Sequence, residues 1–195
     1  QAAIDEGRYD TAIGLLETEY PGGRERVRES IEAILTVASI KPAAIATHEA
    51  LLTLAKNSAG KMRLVTTNFD RLFEHVFQQS RLSVETFVAP LLPVPKSTWD
   101  GLVYLHGLLP DTNGKPDLNR LVVSSGDFGL AYLVERWAAR FVSTLFRNFT
   151  VCFVGYSIND PVLRYMTDAL AADRQLGEYS PEMFAFGSYS KGKEK

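Results

Sequence analysis

Beyond about residue 58 the pattern changes to short apolar runs, some of them separated by stretches with helical spacing. The runs "RLVTT", "VETFVA", "GLVYLH", "RLVVSS", "TVCFVGY" and "EMFAFG" read as strands. Among them, "DRLFEHVFQQ", "DFGLAYLVERWAARFVSTLFRN" and "DPVLRYMTDALAAD" read as helices, the last with Asp160 as N-cap and Pro161 at its first position. Apolar strands alternating with helices predict an α/β fold. The expected form is Rossmann-like, a mostly parallel sheet with helices on both faces. The preceding third has helical spacing only. "QAAIDEGRYDTAIGLLETEY" is one expected helix, with Ala12, Ile13, Leu15 and Leu16 apolar and Pro21-Gly22-Gly23 as its stop. "RERVRESIEAILTV" is a second, with Val27, Ile31, Ile34 and Leu35 on one face, and "ATHEALLTLAKN" a third. The reading is one domain over 1–190, with a helical N-terminal cap (1–57) and a sheet core (58–190). Residues 191–195 read as a tail or linker stub.

Composition bounds the partners. The 195 residues suffice for a real core, and 46% hydrophobic with 23% charged content fits a globular chain. No apolar run approaches the ~20 residues of a membrane span. The opening lacks the basic-then-apolar order of a secretory signal, so a cytoplasmic location without membrane contact is expected. A net charge of −2 gives no direct nucleic-acid signal. Cys152 is the sole cysteine, which excludes an internal disulfide and a multi-cysteine zinc site. Lying in an apolar strand, it reads as buried and inert. The charge run "GGRERVRE" reads as a solvated face, and His48 and His75 read as structural or exposed. Ser124, Ser125 and Asp127 read as caps of the long helix containing Trp137. The chain opens without Met, and the expectation is that it begins inside a longer gene product.

Ligands of open α/β sheets sit outside the carboxyl ends of the strands. Polar groups stand at three such ends. Thr67, Asn68 and Asp70 follow "RLVTT"; His106-Gly107 follows "GLVYL"; Gly155-Tyr156-Ser157 follows "TVCFV". Each has a bland reading. Asn68 or Asp70 could cap the next helix. His106 could be a core histidine bonded to a carbonyl, Ser157 could merely start a turn, and Tyr156 could line a pocket or just pack. Three different chemical types at three strand ends suit one crevice facing a ligand.

"TTNFD", "LHG" and "VGYSINDP", in this order and on these elements, resemble the sirtuin-like family, from about Thr47 to Phe186. They are most similar to its prokaryotic branch of NAD-hydrolysing domains, zinc-free and fused to sensor modules in anti-phage defence. The resemblance implies NAD as substrate, with Asn68 on the ribose and the attacking water. It implies that Asp70 recognises the nicotinamide carboxamide and that His106 is the catalytic base. Thr67, Gly155, Tyr156 and Ser157 become cofactor-binding positions. Histidine suits the base because its ordinary pKa lies near neutrality. Expelling nicotinamide from a cationic ring needs no general acid, so one base and one water-orienting amide suffice.

Two departures shape the expectation. Protein-deacylating sirtuins carry a four-cysteine zinc module after the histidine. Here "GLLPDTNGKPDLNRLVVSSGDF" takes that place without a cysteine, Asn113-Gly114 reading as its turn. No metal is expected. The family's first strand and glycine-rich phosphate loop have no counterpart in the chain and are expected upstream of Gln1, which would leave this segment alone inactive. The leading expectation is an NAD glycohydrolase domain giving nicotinamide and ADP-ribose, part of a larger regulated protein, homo-oligomeric, with a fused or associated sensor domain. A non-catalytic NAD or ADP-ribose sensing module is the alternative, and a zinc-free deacylase the second alternative.

Overall fold

The structure, a computed structural model, describes residues 1–36, 40–96, 98–111, 117–155, 166–168, 171, 175 and 181–186. The chain divides into two compact units, Gln1–Pro93 with Trp99–Ala138, and Val94–Thr98 with Ala139–Lys195.

In the first unit, helices α1 (Ala2–Asp5), α2 (Tyr9–Glu19), α3 (Gly23–Leu35) and α4 (Pro42–Leu54) precede strand β1 (Arg63–Thr66). Helix α5 (Leu72–Ser80), strands β2 (Thr86–Val88) and β3 (Gly101–Tyr104) and helix α6 (Ser125–Phe128) follow. The sheet order is β1-β3-β2, and both pairs are parallel. The central β3 is buried at every position, as a strand covered on both faces must be. Leu102 and Tyr104 of β3 pack with Met62, with Ile45 and Leu52 of α4, and with Phe73, Val76 and Phe77 of α5. A second cluster joins Leu109, Leu118, Leu121 and Val123 beyond β3 to Ile13 of α2 and to Ile31 and Leu35 of α3. The expected α/β class, with parallel strands and helices on both sides of the sheet, is the observed one. Gly101 is required where it stands. Its φ is +143°, and a Cβ there would lie 2.3 Å from the Glu85 carbonyl oxygen.

The second unit takes most of helix α7 (Trp137–Asn148) and the parallel pair β4 (Val151–Val154) and β5 (Met183–Phe186). Phe146 of α7 meets Phe153 of β4 edge to face at 5.9 Å. Among the described residues no helix is long and apolar enough to cross a membrane.

Several local expectations are corrected. The first helix is broken at Glu6-Gly7, where glycine's low helical propensity divides α1 from α2. Leu15 and Leu16 are exposed, and so is Ile34 at 79%, because α3 buries the face of Val27 and Arg28 instead. "RLVVSS" forms no strand; a 3-10 turn at Leu118–Arg120 leads into extended backbone. The long helix "DFGLAYLVERWAARFVSTLFRN" is three pieces: α6, a π-helical turn over Gly129–Val134, and α7. Arg136 in the left-handed region (φ 61°) separates the last two. Ser124 and Asp127 do form a capping box, but on the short α6. Cys152 is exposed, on the open side of β4. Most of "DPVLRYMTDALAAD", with Asp160 and Pro161, lies outside the described residues, as does the Asn113-Gly114 turn.

The charge run of α3 is not wholly solvated. Arg28, 1% exposed, donates Nε to Glu17 at 2.7 Å and an Nη to Asp127, and its other Nη to the carbonyls of Leu118 (2.5 Å) and Leu121 (2.8 Å). Arg24 adds bonds to Glu17 (3.0 Å) and Asp127 (2.6 Å). Burial pushes the Asp127 carboxyl up, but the Ser124 N–H, Arg24, the Val123 N–H and Arg28 outweigh it and hold it below its usual range. Helices α2 and α3 are thereby tied to the segment 118–128.

Candidate functional site

β1 and β3 run parallel with Thr66 opposite Tyr104, and the Leu105 N–H reaches the Thr66 carbonyl at 2.9 Å. Asn68 and His106 each stand two residues past that last paired position. Neighbouring strands lie ~4.8 Å apart, so both residues follow adjacent strands at one carboxyl edge. The loops that carry them are bonded together. Leu109 donates its N–H to the Phe69 carbonyl, and Arg71 donates to the Leu109 carbonyl, both at 2.8 Å.

Asn68 is exposed; its N–H is held by the Thr66 hydroxyl at 3.1 Å. Its side chain has no hydrogen-bond partner among the described residues, so it does not cap α5. Asp70 Oδ1 accepts from the Leu72 N–H at 3.0 Å, just ahead of α5, whose N-cap residue is Arg71. Thr67, directly before Asn68, is half-buried.

His106 is 4% exposed. Its carbonyl accepts from the Val122 N–H at 2.9 Å, and its Nε2 meets the Tyr132 hydroxyl at 2.9 Å. The ring faces Phe128 edge-on at 5.1 Å and Tyr132 at 6.0 Å, and those two rings stack on each other. Burial lowers its pKa from 6.5 to about 4, so the imidazole is neutral at pH 7. The near-neutral pKa expected from sequence is corrected to a lower one, set by burial. Gly107 follows at φ +97°, and a Cβ there would press on Leu121 at 3.0 Å. Phe128 and Tyr132 escaped the sequence reading. Their i, i+4 spacing beside a Gly-flanked turn was the available signal, and it looks the same as ordinary core packing.

Gly155 ends β4 in the second unit at φ +63°. Tyr156 and Ser157 lie outside the described residues. Thr67, Asn68 and Asp70 thus follow β1, and His106 follows the neighbouring β3 at the same edge of the sheet.

A groove of about 230 Å³ opens beside α5, lined among others by Asp70, Arg71, Glu74, His75, Leu109 and Asp111; neither Asn68 nor His106 lines it. Tyr104 donates its hydroxyl to Glu74 Oε2 at 2.6 Å, while Oε1 is buried without a partner. Burial and the Glu74 carboxylate push the Tyr104 phenol well above its usual range. His75 bonds Gln79 at 2.8 Å. Among the described residues no three His, Cys, Asp or Glu side chains gather as a metal site.

Comparison with known proteins gives two findings. A family model described as SIR2-like domain matches residues 62–195. An "Uncharacterized protein y4cA" of Sinorhizobium fredii (strain NBRC 101917 / NGR234) is 34% identical over 178 residues, which is 89% of this chain. The chain spans 15% of that relative's length.

Proposed function

The chain belongs to the SIR2-like domain family, which uses NAD, and from that premise we propose that it is an NAD glycohydrolase domain within a larger, regulated protein. One observation carries the reading: Asn68 and His106 leave neighbouring parallel strands at the same register and the same carboxyl edge. In the proposed reaction water attacks C1′ of the nicotinamide ribose. The C–N glycosidic bond breaks, its electron pair leaves with neutral nicotinamide, and the water's proton passes to His106 and on to solvent. The transition state is oxocarbenium-like, so water must be held in line more than it must be activated. The unpartnered Asn68 amide offers a donor and an acceptor for water and ribose. A base of low pKa is adequate where the electrophile is already a cation.

The same reading takes Asp70 for the carboxamide, Thr67, Gly155, Tyr156 and Ser157 for the rest of the dinucleotide, and no metal. It makes the parent cytoplasmic, homo-oligomeric, attached to a sensor domain and active in anti-phage defence. The enclosure of His106 favours a second reading, an NAD- or ADP-ribose-binding module without turnover. The test is incubation of the full-length parent with NAD, followed by chromatography. Stoichiometric release of nicotinamide and ADP-ribose is expected. Binding of NAD without release would leave the sensing module, and neither binding nor release would remove both.

A further inference from the structure

We propose that Tyr132 is the positioning residue of His106: its phenol oxygen accepts from Nε2–H and fixes the neutral imidazole in the tautomer whose Nδ1 lone pair is the working base. Nε2 is engaged at 2.9 Å by the hydroxyl of Tyr132, a residue 2% exposed. Nδ1 makes no hydrogen bond among the described residues, and it is not one of the fully enclosed unpartnered atoms. It is therefore the nitrogen a ligand can reach. A neutral imidazole has one donor and one acceptor nitrogen, so holding the first as donor commits the second as base.

The fold gives Tyr132 little freedom. It sits on the π-helical turn Gly129–Val134, a geometry that in general marks functional positions. Directly before that turn, α6 is pinned by the Ser124–Asp127 capping box, and Asp127 is bonded to both Arg28 and Arg24. Phe128 stacks on Tyr132 and meets the imidazole edge-on, which blocks rotation of either ring. The His106 backbone is fixed separately through its carbonyl bond to Val122.

Only the rate arm of the test rests on the NAD-cleaving reading. Nitrogen-15 NMR of the histidine side chains in the folded chain reports the tautomer directly, with no substrate. The wild-type protein is expected to show His106 as a single Nε2–H tautomer at pH 7. Tyr132→Phe, which keeps the ring and loses the hydroxyl, is expected to show a mixture. In the full-length parent the same variant should lower kcat for nicotinamide release at least about tenfold, with KM little changed, since base placement acts on the chemical step. An Nδ1–H tautomer in the wild type would overturn the inference without any variant being made, as would an unchanged tautomer in Tyr132→Phe. A correct tautomer shift in a parent that never cleaves NAD would sink the glycohydrolase reading and leave the positioning intact.

Discussion

His106 and Arg28 show how burial changes the meaning of a residue. His106 is neutral because folding removes it from water, and this links it to pH. Between 6.5 and about 4 the unfolded chain binds a proton that the folded chain refuses. Stability is therefore lost as pH falls through that window, by about 3 kcal/mol for a shift of this size. His106→Gln keeps most of the volume and removes the titration. Its unfolding free energy, followed by denaturant melts from pH 7 to 4, should fall less steeply than wild type, and parallel slopes would contradict the assignment. The same variant should lower nicotinamide release by the parent ~10²-fold or more, the usual worth of a positioned base. Arg28 answers two carboxylates and two carbonyls with one buried guanidinium. Arg28→Met leaves Glu17 and Asp127 with less compensation and should cost about 3–5 kcal/mol by denaturant melt; a loss below about 1 kcal/mol would mean that Arg24 already satisfies both acids. Asn68 and His106 were legible in the sequence because a polar group directly after an apolar strand is conspicuous. Arg28 was not, since the carboxylates that draw it inward stand at Glu17 and Asp127, and a linear charge run resembles a solvated one.

At the level of elements, strands were legible where apolar runs ended in a neighbour to pair with, as at β1, β3 and β4. "RLVVSS" has the same composition, but its Val122 N–H goes to the His106 carbonyl in the loop after β3. Pairing depends on what lies alongside, which composition does not record. Helix breaks were missed for a related reason: Arg136 takes a left-handed φ that its residue type does not announce. Two substitutions test the backbone geometry. Gly101→Ala places a methyl 2.3 Å from the Glu85 oxygen, which accepts from the Leu102 N–H at 2.9 Å where β2 meets β3. It should destabilise by more than about 3 kcal/mol, through overpacking and backbone strain together. Wild-type stability in that variant would show that β3 does not approach β2 this closely. Arg81 is the opposite case, an exposed residue in the left-handed conformation (φ 51°) just past α5. Glycine is preferred there, so Arg81→Gly should raise the melting temperature modestly, by the equivalent of up to ~1 kcal/mol.

For the molecule as a whole, the proposal that no zinc is needed can be tested: protein-deacylating sirtuins carry a four-cysteine zinc module after the histidine, and this chain has no cysteine there. Structural zinc sites are built from cysteine and histidine, four ligands at a time. The chain has one cysteine and three histidines. His106 is committed to Tyr132, His75 to Gln79, and His48 packs edge-on against Phe73 at 4.8 Å. The described residues after His106 are held by apolar contacts and ion pairs. Leu118, Leu121 and Val123 enter an apolar cluster with α2 and α3, and Arg28 takes the carbonyls of Leu118 and Leu121 while it pairs with Asp127. Hydrophobic contact and a buried ion network thus hold this part of the chain. A structural zinc contributes folding free energy outright, and its removal unfolds the domain that depends on it. EDTA at millimolar concentration is therefore expected to leave the melting temperature of the folded chain unchanged, and elemental analysis should find well under one zinc per chain. Acidifying below the ordinary carboxylate range should destabilise the same protein, because the stability that a depressed carboxyl such as Asp127 supplies to the Arg28 network is present above its unfolded pKa and lost as pH falls through its folded one. Loss of the melting transition on chelation, with one zinc recovered per chain, would show that a metal completes the fold.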